Sequence, residues 1–158
     1  MTVRVANTDD AAAIAVIMNR VIRETIVTFN SVEKTIEEIA TAIDAGIPYF
    51  VYENAGEIIG YSGYGDFRTG VGYAKTVEYG IAVDPAGQGL GAGRALHQIA
   101  CDHAKAAGKT TIVACISAGN PQGIAFHKVM GFEQTGYMPA VGHKFGRDHD
   151  LVFAQKRL

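Results

Sequence analysis

The stretch "GIAVDPAGQGLGAGRAL" (80–96) runs from an apolar segment through Asp84-Pro85 into Gly87, Gly89, Gly91 and Gly93, then into a helical pattern. Alternate residues without a Cβ allow several backbone N–H groups to converge on one concavity at the positive end of a helix, which is the chemistry of a pyrophosphate site. Three phosphate-binding patterns compete. The Rossmann fingerprint is met literally by Gly87, Gly89 and Ala92, yet it requires an acidic residue about 20 positions on to hold a ribose. "TTIVACISAG" (110–119) ends without one. A Walker loop fails as well: "GKT" (108–110) leaves a helix to enter a strand, and His103 stands where the leading glycine belongs. The third pattern takes the loop whole, from Gln88 to Arg94, as a cradle of N–H groups. A tight strand-to-helix turn alone would need only about two glycines.

The elements that must position this loop follow from periodicity. "TVRVA" (2–6) alternates as a strand, and Thr8 or Asp9 can cap a helix whose apolar face is Ile14, Ile17, Met18, Val21 and Ile22. "RETIVTFNS" (23–31), rich in β-branched residues, should leave that helix, and "VEKTIEEIATAIDAG" (32–46) reads as a second one stopped by Gly46. "PYFVYEN" (48–54) and "EIIGYSGYGDF" (57–67) read as a hairpin through Ala55-Gly56. "RTGVGYAKT" (68–76) is a loop and "VEYGIAV" (77–83) a strand. Past the glycines, Leu96, Ile99, Ala100 and His103 mark one face of a helix ending at Gly108. "TTIVACIS" (110–117) has the apolar run of a central strand buried on both faces. Asn120-Pro121 opens a helix over 120–131. "FEQTGYMPA" (132–140) and "DHDLVFAQKRL" (148–158) finish as strands joined by "VGHKFGR" (141–147). The order β-α-α-β-β-β-α-β-α-β-β predicts an α/β fold, a mixed sheet with helices on its faces.

At 158 residues, 48% hydrophobic and 19% charged, the sequence suits one globular domain over 1–158 and excludes a disordered or fibrous chain. No apolar run approaches the roughly 20 residues a bilayer span requires. The opening residues lack the basic start of a signal peptide, so a cytoplasmic protein is expected. A net charge of −2 with scattered basic residues lacks the footprint of a nucleic-acid binder. Cys101 and Cys115 are too few for a disulfide framework or a cysteine zinc site and read as small buried apolar residues. His143 and His149 share no metal-ligand spacing with other histidines, and no metal is expected.

With Gln88, Gly91 and Gly93 between a strand and a helix, the loop resembles the acetyl-CoA motif of the GNAT N-acetyltransferase superfamily. The resemblance implies that residues 89 to 94 (Gly89, Leu90, Gly91, Ala92, Gly93, Arg94) and Gln88 bind the pyrophosphate. It further implies that Ile81, Ala82 and Val83 offer backbone groups to the pantetheine arm and thioester, and that Asn120 contacts the pantetheine region. His127 stands where the superfamily has a tyrosine that donates a proton to the leaving thiolate. An imidazole can donate too, but a thiol with pKa near about 8.5 already leaves readily. Packing or hydrogen bonding to the cofactor is the alternative for His127.

That histidine, with "GYSGYGDFR" (60–68), "TVEYGIAV" (76–83) and "MPAVGHKFGRDHDLVFAQ" (138–155), is similar to the phosphinothricin and methionine sulfoximine acetyltransferases over essentially the whole chain. The resemblance implies a small amino-acid-like acceptor, with acetyl-CoA as cosubstrate and a homodimer. By the same resemblance Arg68 pairs with the acceptor carboxylate, for which a guanidinium fork is suited and lysine is not. Alternation places Glu78 and Gly80 on one face of their strand. The resemblance makes Glu78 the group that takes a proton from the acceptor ammonium, directly or through water. Phe29 lines the acceptor pocket by resemblance, and Tyr61, Tyr64 or Tyr73 could join it. Lys144, in "GHKFGR", could contact anionic groups or sit in a surface turn. Direct transfer in a ternary complex follows, with both cysteines dispensable. The rivals are another amine acceptor and a CoA-binding sensor that has lost transfer. A polyamine would need clustered acids, and 66–80 offers only Asp66 and Glu78.

Overall fold

A computed structural model describes residues 1–158. Strand β1 (Thr2–Val5) leads into Asn7, whose side-chain oxygen accepts from the Asp9 N–H while Asp10 accepts from the Asn7 N–H. This reciprocal cap moves the helix start away from Thr8 or Asp9. Thr8–Asp10 form a 3-10 turn and helix α1 runs Ala11–Glu24. Arg4 grips the buried Asp10 carboxylate with two bonds, at 2.7 and 2.9 Å, and holds its carboxyl below the usual range. Helix α2 (Ile36–Asp44) begins later than the periodicity suggests, because Thr35 and Glu38 cap each other. Residues 25–34 between the helices contain no regular element.

Strands β2 (Tyr49–Asn54) and β3 (Glu57–Asp66) turn through Ala55 and Gly56 at φ 52° and 85°, the geometry of a two-residue hairpin. The chain continues through β4 (Thr76–Val83), α3 (Ala92–Ala106), β5 (Thr111–Ser117), α4 (Pro121–Val129), β6 (Glu133–Lys144) and β7 (Arg147–Arg157). The expected 141–147 connection shrinks to Phe145 and Gly146, both left-handed at φ 52° and 73°. That tight turn frees 141–144 to pair, with Gly142 opposite His149 and Lys144 opposite Arg147. The seven strands lie in the order β1-β2-β3-β4-β5-β7-β6. Every neighbouring pair is antiparallel except β4 with β5, which pair only through Thr76–Glu78 and Thr111–Val113. No helix is long and apolar enough to cross a membrane.

Alternation divides the sheet between two cores. On one face Leu96, Ala100 and Ala104 of α3 are fully buried against Phe50, Val77 and Ile112. The approach is close: a Cβ at Gly60 would lie 3.0 Å from Leu96 Cδ1. On the other face Ile14 and Ala15 of α1 and Ile39 of α2 cover Val51. Val77 and Tyr79 therefore point into the α3 layer, which leaves Glu78 and Gly80 facing α1.

The α3 core contains His97, which is 2% exposed. Its Nε2 accepts from the Lys156 ammonium at 3.0 Å, and its ring packs on Tyr79 and Phe132. Burial foremost, then the charge of Lys156 and the neighbouring His127, lowers its pKa from 6.5 to about 4. In the unfolded chain the same imidazole takes up a proton near pH 6.5, so the unfolded state binds more protons between about 4 and 6.5. Stability should fall by up to about 3 kcal/mol as pH drops through that window. Thermal or urea unfolding between pH 7 and 4 should show this fall, and His97→Gln, which removes the titrating group, should make the slope shallower.

Candidate active site

Beyond Glu78 and Val113 the two parallel strands part. Residues 79–83 of β4 and 114–117 of β5 line a cleft of about 1730 Å³. Single small-molecule pockets measure roughly 300–1,000 Å³, so this one has room for two reactants. Along 79–83 the edge of β4 that would face β5 has no partner strand, which leaves backbone groups free to meet a ligand.

The glycine loop forms one end of the cleft. Asp84 starts it: one carboxylate oxygen accepts from the Ala86 N–H at 2.9 Å, the other from Arg20 at 2.6 Å. Gly87 is a packing glycine, since a Cβ there would meet Val83 at 2.8 Å. Gly91 caps α3 in the left-handed region at φ 78°, after Gly89 at φ 79°. Tyr52 donates to the Leu90 carbonyl at 3.1 Å, which pins the loop. Gly93 lets α3 approach Phe126 of α4, at 3.1 Å from a Cβ position. The N–H groups of Gly89, Gly91, Ala92, Gly93 and Arg94 have no acceptor within the protein. Five free donors at the positive end of a helix fit a pyrophosphate. Gln88 and Arg94 also line the cleft, whereas Leu90, with its carbonyl committed to Tyr52, does not.

The α1-facing half of the cleft holds the remaining chemistry. Glu78, the last residue of β4 paired with β5, presents its carboxylate here. Its floor is nearly bare: Gly65 lies opposite Glu78 and Gly63 opposite Gly80. Phe29, Tyr61, Met138, Leu151 and Phe153 stand around it. Arg68 lies at the mouth, its guanidinium 4.4 Å over the Phe67 ring and donating to the Phe67 carbonyl at 3.0 Å. It makes no ion pair, so its fork is available to a carboxylate. Of the other tyrosines, Tyr64 spends its hydroxyl on His103 at 2.7 Å, and Tyr73 packs on Phe67 outside the cleft.

Cys115 departs from the expectation of a buried apolar residue. It is half-buried, lines the cleft and sits on the face that carries Glu78. Burial first, then the Glu78 charge, pushes its thiol up to about 12, so it remains an S–H beside the carboxylate. The parity of Val113, Cys115 and Ser117 was readable, but only the parallel β4–β5 register shows which face they share. Tyr79 was also missed: its hydroxyl is buried without a hydrogen-bond partner beside the His97 and His127 rings.

Asn120 lines the cleft and accepts from the Gly123 N–H at 2.9 Å, capping α4. His127, in the second turn of that helix, is buried among Tyr79, Phe126 and Phe132 with ring centroids 5.1 to 5.7 Å away. Its Nδ1 meets the Gly123 carbonyl at 2.7 Å; a carbonyl only accepts, so Nδ1 carries the hydrogen. Burial lowers its pKa, and Nε2 is left with a lone pair. The ring is thus poorly prepared to give a proton to a thiolate at neutral pH. Lys144 lies outside the main cleft, with its ammonium turned onto the Thr25 and Thr28 carbonyls. It neither lines the cleft nor lies in an exposed surface turn. His143 pairs with Asp148, and no group of three or more His, Cys, Asp or Glu is arranged to hold a metal.

Residues 3–153 match the family model described as acetyltransferase (GNAT) domain. The L-methionine sulfoximine/L-methionine sulfone acetyltransferase of Salmonella typhimurium is 38% identical, covering 100% of this chain and 95% of that protein. The structure of an acetyltransferase from the same organism with its cofactor acetyl-CoA superposes with a TM-score of 0.94 at 38% identity, over 99% of this chain and 93% of that one. A phosphinothricin acetyltransferase from Sinorhizobium meliloti in complex with acetyl-CoA gives 0.91 at 32% identity, over 99% and 88% of the two chains.

The five free N–H groups make a binding prediction. A side chain at Gly91 carries a left-handed penalty of about 1–2 kcal/mol, and relieving it would turn the donors away. Gly91→Val should weaken coenzyme A binding by about tenfold or more in calorimetric titration. An unchanged Kd would remove the loop from the site.

Proposed function

The chain belongs to the GNAT acetyltransferase family, and from that membership we propose that it transfers the acetyl group of acetyl-CoA to the α-amino group of a small amino-acid-like acceptor, of the methionine sulfoximine, methionine sulfone or phosphinothricin type. The observation that carries this reading is one cleft with two chemically different halves: unfilled N–H donors at the α3 terminus, and Glu78 with Arg68 on the α1 side. The reading also includes action in the cytoplasm as a homodimer, a part supported by the family resemblance.

Acetyl-CoA supplies a thioester whose carbonyl carbon is the electrophile. The N–H groups from Gly89 to Arg94 hold the pyrophosphate, and the free edge of β4 over 81–83 offers an N–H to the thioester oxygen as negative charge develops there. Arg68 orients the acceptor by its carboxylate. Glu78 takes one proton from the acceptor ammonium, directly or through a water, and so frees the nitrogen lone pair. The nitrogen forms the amide bond as the carbon–sulfur bond breaks, and the second proton it sheds balances the departing thiolate. With its Nδ1 hydrogen held by Gly123, His127 serves to pack α4 against Tyr79 and Phe132 rather than to donate. Holding both reactants in one cleft can supply up to roughly 7–11 kcal/mol of the barrier reduction.

An assay with acetyl-CoA and methionine sulfone, methionine sulfoximine, phosphinothricin and the common amino acids tests the reading; no acetylated product from any of them would defeat it. Arg68→Ala should raise the acceptor KM by about 10- to 100-fold, as expected for a lost charged hydrogen bond, and leave the acetyl-CoA KM near its starting value. Glu78→Gln should lower kcat at neutral pH by about 10²–10⁴. By contrast, His127→Gln should keep kcat within about tenfold, short of the loss expected for a general acid.

A further inference from the structure

The irregular segment between α1 and α2 carries Phe29, and it is fastened to the β6–β7 hairpin at several points. Lys144, on β6, is 3% exposed and has no carboxylate partner. Its Nζ donates to the carbonyls of Thr25 at 2.7 Å and Thr28 at 2.8 Å. Thr25 closes α1, so the ammonium sits at the negative end of that helix dipole. Burial lowers the pKa of this ammonium, as expected where dipoles rather than a counter-ion hold a charge.

The second fastening is aromatic. The Phe29 ring stacks on His149 with centroids 5.6 Å apart and 18° between planes. His149 is itself held, since its Nε2–H donates to the Lys144 carbonyl at 2.9 Å. The third is steric: a Cβ on Gly142 would overlap the Phe29 ring, so glycine alone lets the ring lie against β6. Lys144, His149 and Gly142 thus act on one short segment, of which Val27, Thr28, Phe29 and Asn30 line the cleft, with Phe29 contributing its ring alongside Leu151 and Phe153.

A neutral side chain of the same length would leave two carbonyls without their donor, and a shorter one would not reach them. The ammonium therefore locks the backbone that leads into Phe29, at Thr25 and at the adjoining Thr28. We propose that Lys144, with His149 and Gly142, is a positioning group that fixes Phe29 over the acceptor half of the cleft and so governs acceptor binding without touching the acceptor. This rests on reading the α1-facing half of the cleft as the acceptor site.

The test compares wild type with Lys144→Met and Gly142→Ala, measuring both KM values and hydrogen–deuterium exchange of residues 25–31. In each variant the acceptor KM should rise by roughly tenfold or more while the acetyl-CoA KM stays within about twofold. Amides of 25–31 should exchange faster, with those of α3 unchanged. Equal rises in both KM values would mark a general structural role and overturn the proposal, as would an unchanged acceptor KM in a folded variant. If Lys144→Met does not fold, Gly142→Ala decides, because it displaces the ring with the lysine intact. If wild type acetylates no amino acid, the reading of the function fails while exchange over 25–31 still decides whether the fastening holds Phe29.

Discussion

Strands β4 and β5 share three paired positions, and beyond Glu78 and Val113 the backbone groups on their facing edges must be satisfied by something other than a strand. That constraint organises the molecule. It opens a cleft in a seven-stranded sheet whose other neighbours are ladder-paired along most of their length. The cleft lies between the N-terminus of α3 and the cap of α4, and its lining includes both. A ligand entering there completes hydrogen bonds that the fold leaves unmade, so binding and sheet architecture are one problem. Glu78 stands at the fork, the last residue fixed by β5 before the strands diverge, which gives the carboxylate a rigid base at the edge of an open space.

Strand parity then separates stability from chemistry. Val77 and Tyr79 are buried in the α3 core, while Glu78 and Gly80, which alternate with them, face the other way. The same division on β5 sends Ile112, Ala114 and Ile116 inward and leaves Cys115 beside Glu78. A one-residue slip of β4 would exchange these faces and destroy both functions at once, so the register of the β3–β4 ladder is doubly constrained. Of the polar inhabitants of the α3 core, Tyr79 with its unpartnered hydroxyl also lines the cleft, and His97 packs against its ring.

Local chemistry was legible in the sequence and distant contact was not. The glycine loop, the Asn120-Pro121 helix start, the parity of Glu78 and the mixed α/β architecture all follow from residues within a few positions of one another. Caps were misjudged by a few residues at Asn7 and Thr35 because the reciprocal side-chain bonds, not the apolar period, decide where a helix begins. The 141–147 segment looked like a loop because Phe145 gives no sign that it will adopt a left-handed conformation. Lys144 stood out in the sequence as a cation, but its partners did not: Thr25 lies 119 residues away, and no pattern near "GHKFGR" points to it. His97 and Cys115 were hidden for the same reason, since their environments are assembled by β7, α4 and β4 together.

The bare floor beneath Glu78 has an evolutionary meaning. A methyl group at Gly63 would press on the Pro48 carbonyl at 2.9 Å, so that position is tied to the sheet. Gly65 and Gly80 are different, because nothing stands within 4 Å of where their Cβ atoms would be. Neither has a positive φ that would reserve it for glycine. The space they leave open is therefore adjustable in steps of one methyl without a penalty in backbone strain or core packing. A scaffold of this kind can change the shape of its cleft floor while the glycine loop, Glu78 and both cores stay as they are.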